Sequence, residues 1–369
     1  MIAYCADYIF TGESILPHHA IVTHNDIVVD ITAQVSLDNS IQRIQYGKHM
    51  LVPAFIDAQI YGSGNLLFSE FKNVESLIQL QADCEKSGVA YFLPTVATNT
   101  QEVMFACIDA VKEYWKLGKK GCLGVHFEGP WISVEKRGVH KENCIYAPTL
   151  QQVKDIIEYG KGVIKMITLA PEVCSNEVVE YIHSQDIIIA AGHSNANYTQ
   201  ATTAFNNGVN VVTHLYNAMS SFHHREPGMV GAVFNHAHVM ASIIPDGYHV
   251  DYTAIQIAKK LLGNRLFTIT DAVTATTSGA YKHVLNNDFF ETNGTLSGSA
   301  LTMIKATQNL VAYAGIDIVE ALKMASLYPA NVLKIDHQSG KIKKGYPVNF
   351  IVLDSQLNIQ QTVFKNLFM

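Results

Sequence analysis

The sequence has no CxxC pair among its six cysteines, Cys5, Cys84, Cys107, Cys122, Cys144 and Cys174. That excludes a zinc ribbon or dithiol redox motif, and a chain of 369 residues does not need disulfide staples, so reduced thiols are expected. Charged residues make up only 16%, and no Lys/Arg run stands out. Disorder and nucleic-acid binding are therefore poor readings, the more so as 32 acidic residues outnumber 26 basic ones. No apolar run reaches the roughly 20 residues of a membrane span, and the N-terminus lacks a basic-then-apolar leader pattern. A cytoplasmic protein without membrane partners is expected. Internal repeats, low-complexity tracts and Pro/Ser-rich linkers are absent too, which argues against independently mobile domains.

Apolar residues, at 48%, are plentiful enough for one large core. From residue 50 to about 275 they gather into eight short β-branched runs: "MLVPAFIDAQ", "VAYFLPTVATN", "CLGVHFEGP", "IKMITLAPE", "IIIAAGHS", "VNVVTHLY", "VMASIIPDGYH" and "LFTITDAV". Helix-like segments such as "NVESLIQLQADCEKSG" lie between several of them. Near-continuous apolar runs suit parallel strands covered on both faces, and eight strand-and-helix units predict an α/β fold, a (β/α)8 TIM barrel. Alternating stretches at the two ends, "HAIVTHNDIVVDITA" and "GKIKKGYPVNFIVLD" among them, predict a small β-sandwich built from both termini. The expected division is residues 1–52 with 336–369 for the sandwich and 53–335 for the barrel.

Polar residues collect at the C-terminal ends of the runs, where barrels place their chemistry, so His126, Glu128, His193, His214, Asp246, His249 and Asp271 are all expected to face one mouth. Glu128, His193 and His214 end three different strands. One carboxylate and two imidazoles, with water in the remaining position, make a sound ligand set for a catalytic divalent ion. Asp271 could accept a proton from a metal-activated water, although "TDAVTATT" could also cap a helix. Arg225, in a Gly- and Pro-containing loop, has the guanidinium fork that suits phosphate, with the N–H groups of Asn217 and Ala218 as further donors; a plain contact with Glu226 is the alternative. His140 and His249, each taken alone, read as turn residues.

Taken in order, "HFEGPWIS…KRGVHKE", "AAGHSNA", "VTHLYNAMSSFHHREPGMVGAVF", "IPDGYHVD", "TITDAV", "GTLSGSALTM" and "ASLYPANVL" resemble the N-acetylglucosamine-6-phosphate deacetylase family of the amidohydrolase superfamily. The resemblance implies hydrolysis of the acetamide of N-acetyl-D-glucosamine 6-phosphate, in amino-sugar catabolism or cell-wall sugar recycling. It implies one divalent ion per subunit on Glu128, His193 and His214, Zn²⁺ by preference with Fe²⁺ also acceptable, and Asp271 as general base and acid. His140 is expected to assist at the carbonyl. Val139, His140, Asn217, Ala218, Arg225, Asp246, His249, Leu296, Ser297 and Gly298 match the substrate-binding stretches. Arg225 would reach in from the second subunit of a homodimer.

The chain also departs from the pattern. Gln59 stands where some members carry the first His of a His-x-His pair, which implies a single metal. Tyr61 replaces an expected Asn and Ala54 an expected Gly; neither is expected to touch the ligands. Two rivals remain: another amidohydrolase acting on a cyclic or N-acyl amide, or an inactive binding module on the same barrel. The first usually uses a carboxylated lysine at the fourth strand's end, whereas Lys165 falls at that strand's start.

Overall fold

The computed structural model describes every residue of 1–369 except Ser278, Ala280, Asn366 and Met369. Eight strands form one all-parallel sheet in chain order: Phe55–Ile60, Val89–Ala97, Val125–Glu128, Ile164–Leu169, Ile188–Ala191, Val211–Val212, Met240–Ile243 and Leu266–Thr268. A helix follows each. The first four are Val74–Lys86, Gln101–Lys116, Leu150–Tyr159 and Asn176–Ser184. Their starts are written into the sequence. Asn73 caps the first by accepting from Ser76 N, and reciprocal capping boxes, Thr149 with Gln152 at the third and Asn197 with Gln200 at the next helix along, Tyr198–Asn206, satisfy the otherwise orphaned N–H groups.

The barrel closes between the C-terminal part of its first strand, with Tyr61 just after it, and the residues just beyond its eighth. Asp271 N donates to Gln59 O at 3.0 Å and Tyr61 N to Ala272 O at 2.8 Å. One layer deeper, Thr270 Oγ1 donates to Asp57 Oδ2 at 2.5 Å, tying first strand to last. The (β/α)8 barrel predicted from the eight runs is thus the observed architecture.

The first run needs a correction. It is not one strand but two: Met50–Pro53 belongs to a different sheet, and only Phe55–Ile60 enters the barrel. Met50–Pro53 joins a five-stranded sheet with Tyr8–Phe10, Ile15–Pro17, Asn349–Leu353 and Ile359–Phe364, so both ends of the chain meet in it. A four-stranded sheet of Ile2–Cys5, His19–His24, Ile27–Ala33 and Gln42–Gln45 covers its outer face. Strand alternation explains the layering. Leu51, Phe350 and Val352 point into the core between the two sheets, while Val52, Ile351 and Leu353 point into the barrel core. Two residues of the predicted C-terminal β piece, Asn366 and Met369, lie outside the described residues.

After the eighth strand comes an antiparallel three-stranded sheet, Val284–Asn286, Phe289–Thr292 and Thr295–Ser299, which brings Leu296, Ser297 and Gly298 over the barrel mouth. No helix starts at Asp271; the next begins at Met303. The helix-cap reading of Asp271 therefore falls away.

Candidate active site

A cavity of about 320 Å³ opens at the C-terminal end of the barrel strands. It is lined by Glu128, Val139, His140, His193, His214, Asn217, Ala218, His249, Asp271, Leu296, Ser297 and Gly298, which brings together most of the residues singled out from the sequence. Three sit in left-handed backbone just past their strands: His193 at φ 47°, His214 at 34° and Asp271 at 54°. Side chains with a Cβ pay a steric cost there, and such conformations concentrate where a fold must aim a functional group. At Gly192, before His193, an added Cβ would fall 2.8 Å from Thr168 and 2.9 Å from Thr213, so only glycine lets this turn approach the barrel wall.

Glu128 is the hub. Its Oε1 lies 3.0 Å from His214 Nε2 and 3.4 Å from His193 Nε2, and those two nitrogens are 3.2 Å apart. His140 Nε2 lies 3.1 Å from Oε2. A proton can bridge only one of the three short separations among Glu128 Oε1, His193 Nε2 and His214 Nε2, whereas a cation takes lone pairs from all three. His193 Nδ1–H donates to Lys136 O at 2.9 Å, which leaves Nε2 as the free lone pair, the usual arrangement behind a metal-binding imidazole. His140 is close enough to complete a second Glu/His/His group with Glu128 and His193. Its tautomer argues otherwise: Thr98 N–H and Thr98 Oγ1 meet His140 Nδ1 at 3.4 and 2.7 Å, so Nδ1 accepts and Nε2 carries the hydrogen. His140 is built as a donor into the cavity.

The two carboxylates are driven apart. Burial pushes Glu128 upward, but the imidazoles around it, His193, His140 and His214, outweigh burial and hold the carboxyl well below the usual range. Asp271 is raised, chiefly by burial and then, against His214, by the Glu128 charge. Burial lowers His140 to about 4, so its ring is neutral.

Gln59 stands between the carboxylates, with Nε2 2.9 Å from Glu128 Oε1 and 2.6 Å from Asp271 Oδ1. Tyr61 corrects an expectation, because its hydroxyl donates to Glu128 Oε2 at 2.5 Å and so touches a proposed ligand directly. A tyrosine two residues after Gln59 points to the same side of the chain and reaches further than the expected Asn.

Other residues fall elsewhere than expected. His126 does not face the mouth; it is on the inner face of its strand one layer below Glu128, fully buried against Thr168 Oγ1 at 2.8 Å, and burial lowers it to about 4. Asp246 stands behind the cavity wall and accepts His249 Nδ1–H at 2.6 Å, so it orients the His249 ring. Asn217 N–H is taken by His214 O at 2.9 Å, which leaves Ala218 N–H as the donor of that pair. Arg225 is exposed, outside this cavity's lining, and makes no ion pair with Glu226 among the described residues. Lys165 is the second residue of the fourth strand, away from the mouth. The sequence reading missed Thr98, Lys136, Tyr281 and His283. His283 Nδ1 pairs with Ser297 Oγ at 2.9 Å, and "GAYKHV" carries no spacing that would have marked it.

Comparison with known proteins places this site in a family. An amidohydrolase family model matches residues 50–368, and a NagA composite domain model residues 1–50. The chain is 33% identical over 366 residues to the N-acetylglucosamine-6-phosphate deacetylase of Haemophilus influenzae, with 96% of each chain covered. It superposes on the N-acetylglucosamine-6-phosphate deacetylase of Pasteurella multocida with a TM-score of 0.93 at 34% identity, covering 98% of both chains. A mutant deacetylase from Mycobacterium smegmatis, solved in complex with N-acetyl-D-glucosamine-6-phosphate, matches with a TM-score of 0.91 at 25% identity, covering 98% of this chain and 97% of that one. The chain belongs to the amidohydrolase family, in its N-acetylglucosamine-6-phosphate deacetylase branch.

Proposed function

We propose that this chain hydrolyses the acetamide of N-acetyl-D-glucosamine 6-phosphate to D-glucosamine 6-phosphate and acetate, as a step of amino-sugar catabolism. The observation that carries the reading is the pairing of a proton-avid Asp271 with the Glu128, His193 and His214 cluster across one Gln59 amide. Those three residues would hold one divalent ion per chain, Zn²⁺ by ligand type with Fe²⁺ as the alternative. When bound, the ion supplies a Lewis acid that acidifies water and polarises a carbonyl.

The protein's own groups do the rest. Asp271 removes a proton from the attacking water as its oxygen adds to the acyl carbon, and burial favours holding that proton. His140 Nε2–H points at the side of the cavity occupied by Glu128 and donates to the carbonyl oxygen as charge builds there. Asp271 then passes its proton to the nitrogen as the C–N bond breaks. His249, aimed by Asp246, together with Ala218 N–H and Ser297, holds the sugar.

The phosphate falls to Arg225. Because that side chain is exposed and outside its own cavity's lining, the reading assigns it to the site of a neighbouring copy in a homodimer.

The test is acetate release from phosphorylated and unphosphorylated N-acetylglucosamine by metal-stripped and reconstituted protein. Activity with the phosphorylated sugar, near one metal equivalent per chain and loss on stripping are expected. Full activity without metal overturns the ligand assignment, and no acetate from either sugar overturns the deacetylase reading.

A further inference from the structure

The cavity lining is of two kinds. One is polar, Asn217, His249, His283 and Ser297, with the His283 ring stacked on Tyr281 at 6.2 Å between centroids. The other is apolar: Tyr61, Leu67, Ala97, Val273 and Tyr281 line the cavity and pack as one cluster. Both tyrosine hydroxyls on that side are engaged elsewhere, Tyr61 with Glu128 Oε2 and Tyr281 with Thr98 O, each at 2.5 Å. The wall therefore presents ring and methyl surface to the cavity.

It is also joined to the reacting groups. Tyr61 is bonded to Glu128, Ala97 pairs with Glu128 across the second and third barrel strands, Val273 is two residues from Asp271, and Tyr281 reaches His140 through Thr98. Nor can it easily recede. Gly298 backs Val273 so closely that a Cβ there would lie 2.6 Å from its Cγ1.

Sugar hydroxyls and a phosphate placed against this surface would lose hydrogen bonds without replacement, whereas an alkyl group loses nothing. Building on the deacetylase reading, we propose that Tyr61, Leu67, Ala97, Val273 and Tyr281 form the acyl-binding wall and fix how long an N-acyl group the site accepts. Acetyl places one methyl against it. Each further methylene has to displace a ring anchored by its hydroxyl, and one methylene in a fitted apolar pocket changes discrimination by about tenfold or more.

The experiment compares kcat/KM for N-formyl, N-acetyl, N-propionyl and N-butyryl glucosamine 6-phosphate on metal-loaded protein, read as release of the common amine product. Acetyl should be preferred over butyryl. Leu67→Ala should raise the propionyl-to-acetyl ratio by about tenfold and Ala97→Val should lower it, while Tyr61→Phe, which keeps the ring, should preserve the ranking. Because the readout is a ratio within one variant, loss of folded or metal-loaded protein cancels. A ratio unmoved in both Leu67→Ala and Ala97→Val overturns the wall while leaving deacetylation intact; a wild-type protein that releases no amine from any of the four overturns the deacetylase reading itself.

Discussion

Glu128 and Asp271 are two carboxylates in one cavity with opposite shifts in proton affinity, and the difference suits the two roles proposed for them. Three imidazoles hold Glu128 ionised, which suits a ligand, while Asp271 keeps its proton more readily, which suits a base that must later act as an acid. Asp271→Asn is expected to lose about 10² to 10⁴ in kcat, the usual worth of a general acid–base group, while metal content and KM stay near wild type. Near-normal turnover in that variant would take the role away from Asp271. His140→Ala removes the neutral donor facing Glu128 and should lower kcat by about 10² to 10³. A change confined to KM would instead make His140 a binding residue. At this scale the motifs singled out Glu128, His193, His214 and Asp271, and the structure brings all four to one cavity. The contact of Tyr61 was not legible, since only the fold places its hydroxyl on Glu128. His126 was misread because alternation puts it on the same side as Glu128 without saying how deep the barrel runs.

Elements decide how the barrel holds its first strand to its last. Asp57 is fully buried and accepts from Thr270 Oγ1 and, at 3.3 Å, from Thr270 N. Burial, the largest influence, raises it to about 7 from a normal 3.8. A raised carboxyl binds its proton more tightly in the folded than in the unfolded chain. Its contribution to stability is therefore complete below the unfolded value and is lost as pH rises through about 7. Asn at this position can keep the backbone contacts through its oxygen and donate its amide to Thr270. Asp57→Asn should then flatten the fall in denaturant midpoint between pH 4 and 7, seen by titrating both proteins with urea across that range. Parallel slopes would show that Asp57 is not the titrating latch. The eight runs were readable because buried parallel strands are apolar on both faces. The first run hid a sheet change at Ala54, and the antiparallel strands after the eighth were too short and polar to announce themselves.

For the whole molecule, the question is whether one copy suffices. Arg225 is exposed on a loop whose neighbour Phe222 is 60% exposed, and it lies outside its own cavity's lining. If Arg225 serves the next copy's site, Arg225→Ala and Asp271→Asn are defects in different halves of one site. Mixed dimers of the two variants should regain activity, because one of their two sites combines an intact Asp271 with an intact Arg225. Each variant alone should stay weak toward the phosphorylated sugar. Mixtures no better than the average of the separate variants would place Arg225 in its own subunit's site. Metal removal should also destabilise the whole chain, since an ion that binds only the folded cluster adds to its stability by mass action; a melting temperature unchanged by chelation and reconstitution would contradict that.

Sequence alone determined the barrel, the meeting of both termini in one β layer and the family of the site. Each is carried by local information, in apolar runs of strand length, alternation, capping residues and ordered motifs. Tertiary structure alone decided which imidazole is a donor and which a lone pair, which carboxylate keeps its proton, and which wall of the cavity is apolar. Those properties depend on what a side chain meets across the barrel, as His140 meets Thr98 and Tyr61 meets Glu128, and residues 42 or 67 positions apart carry no mark of their contact in the order of the chain.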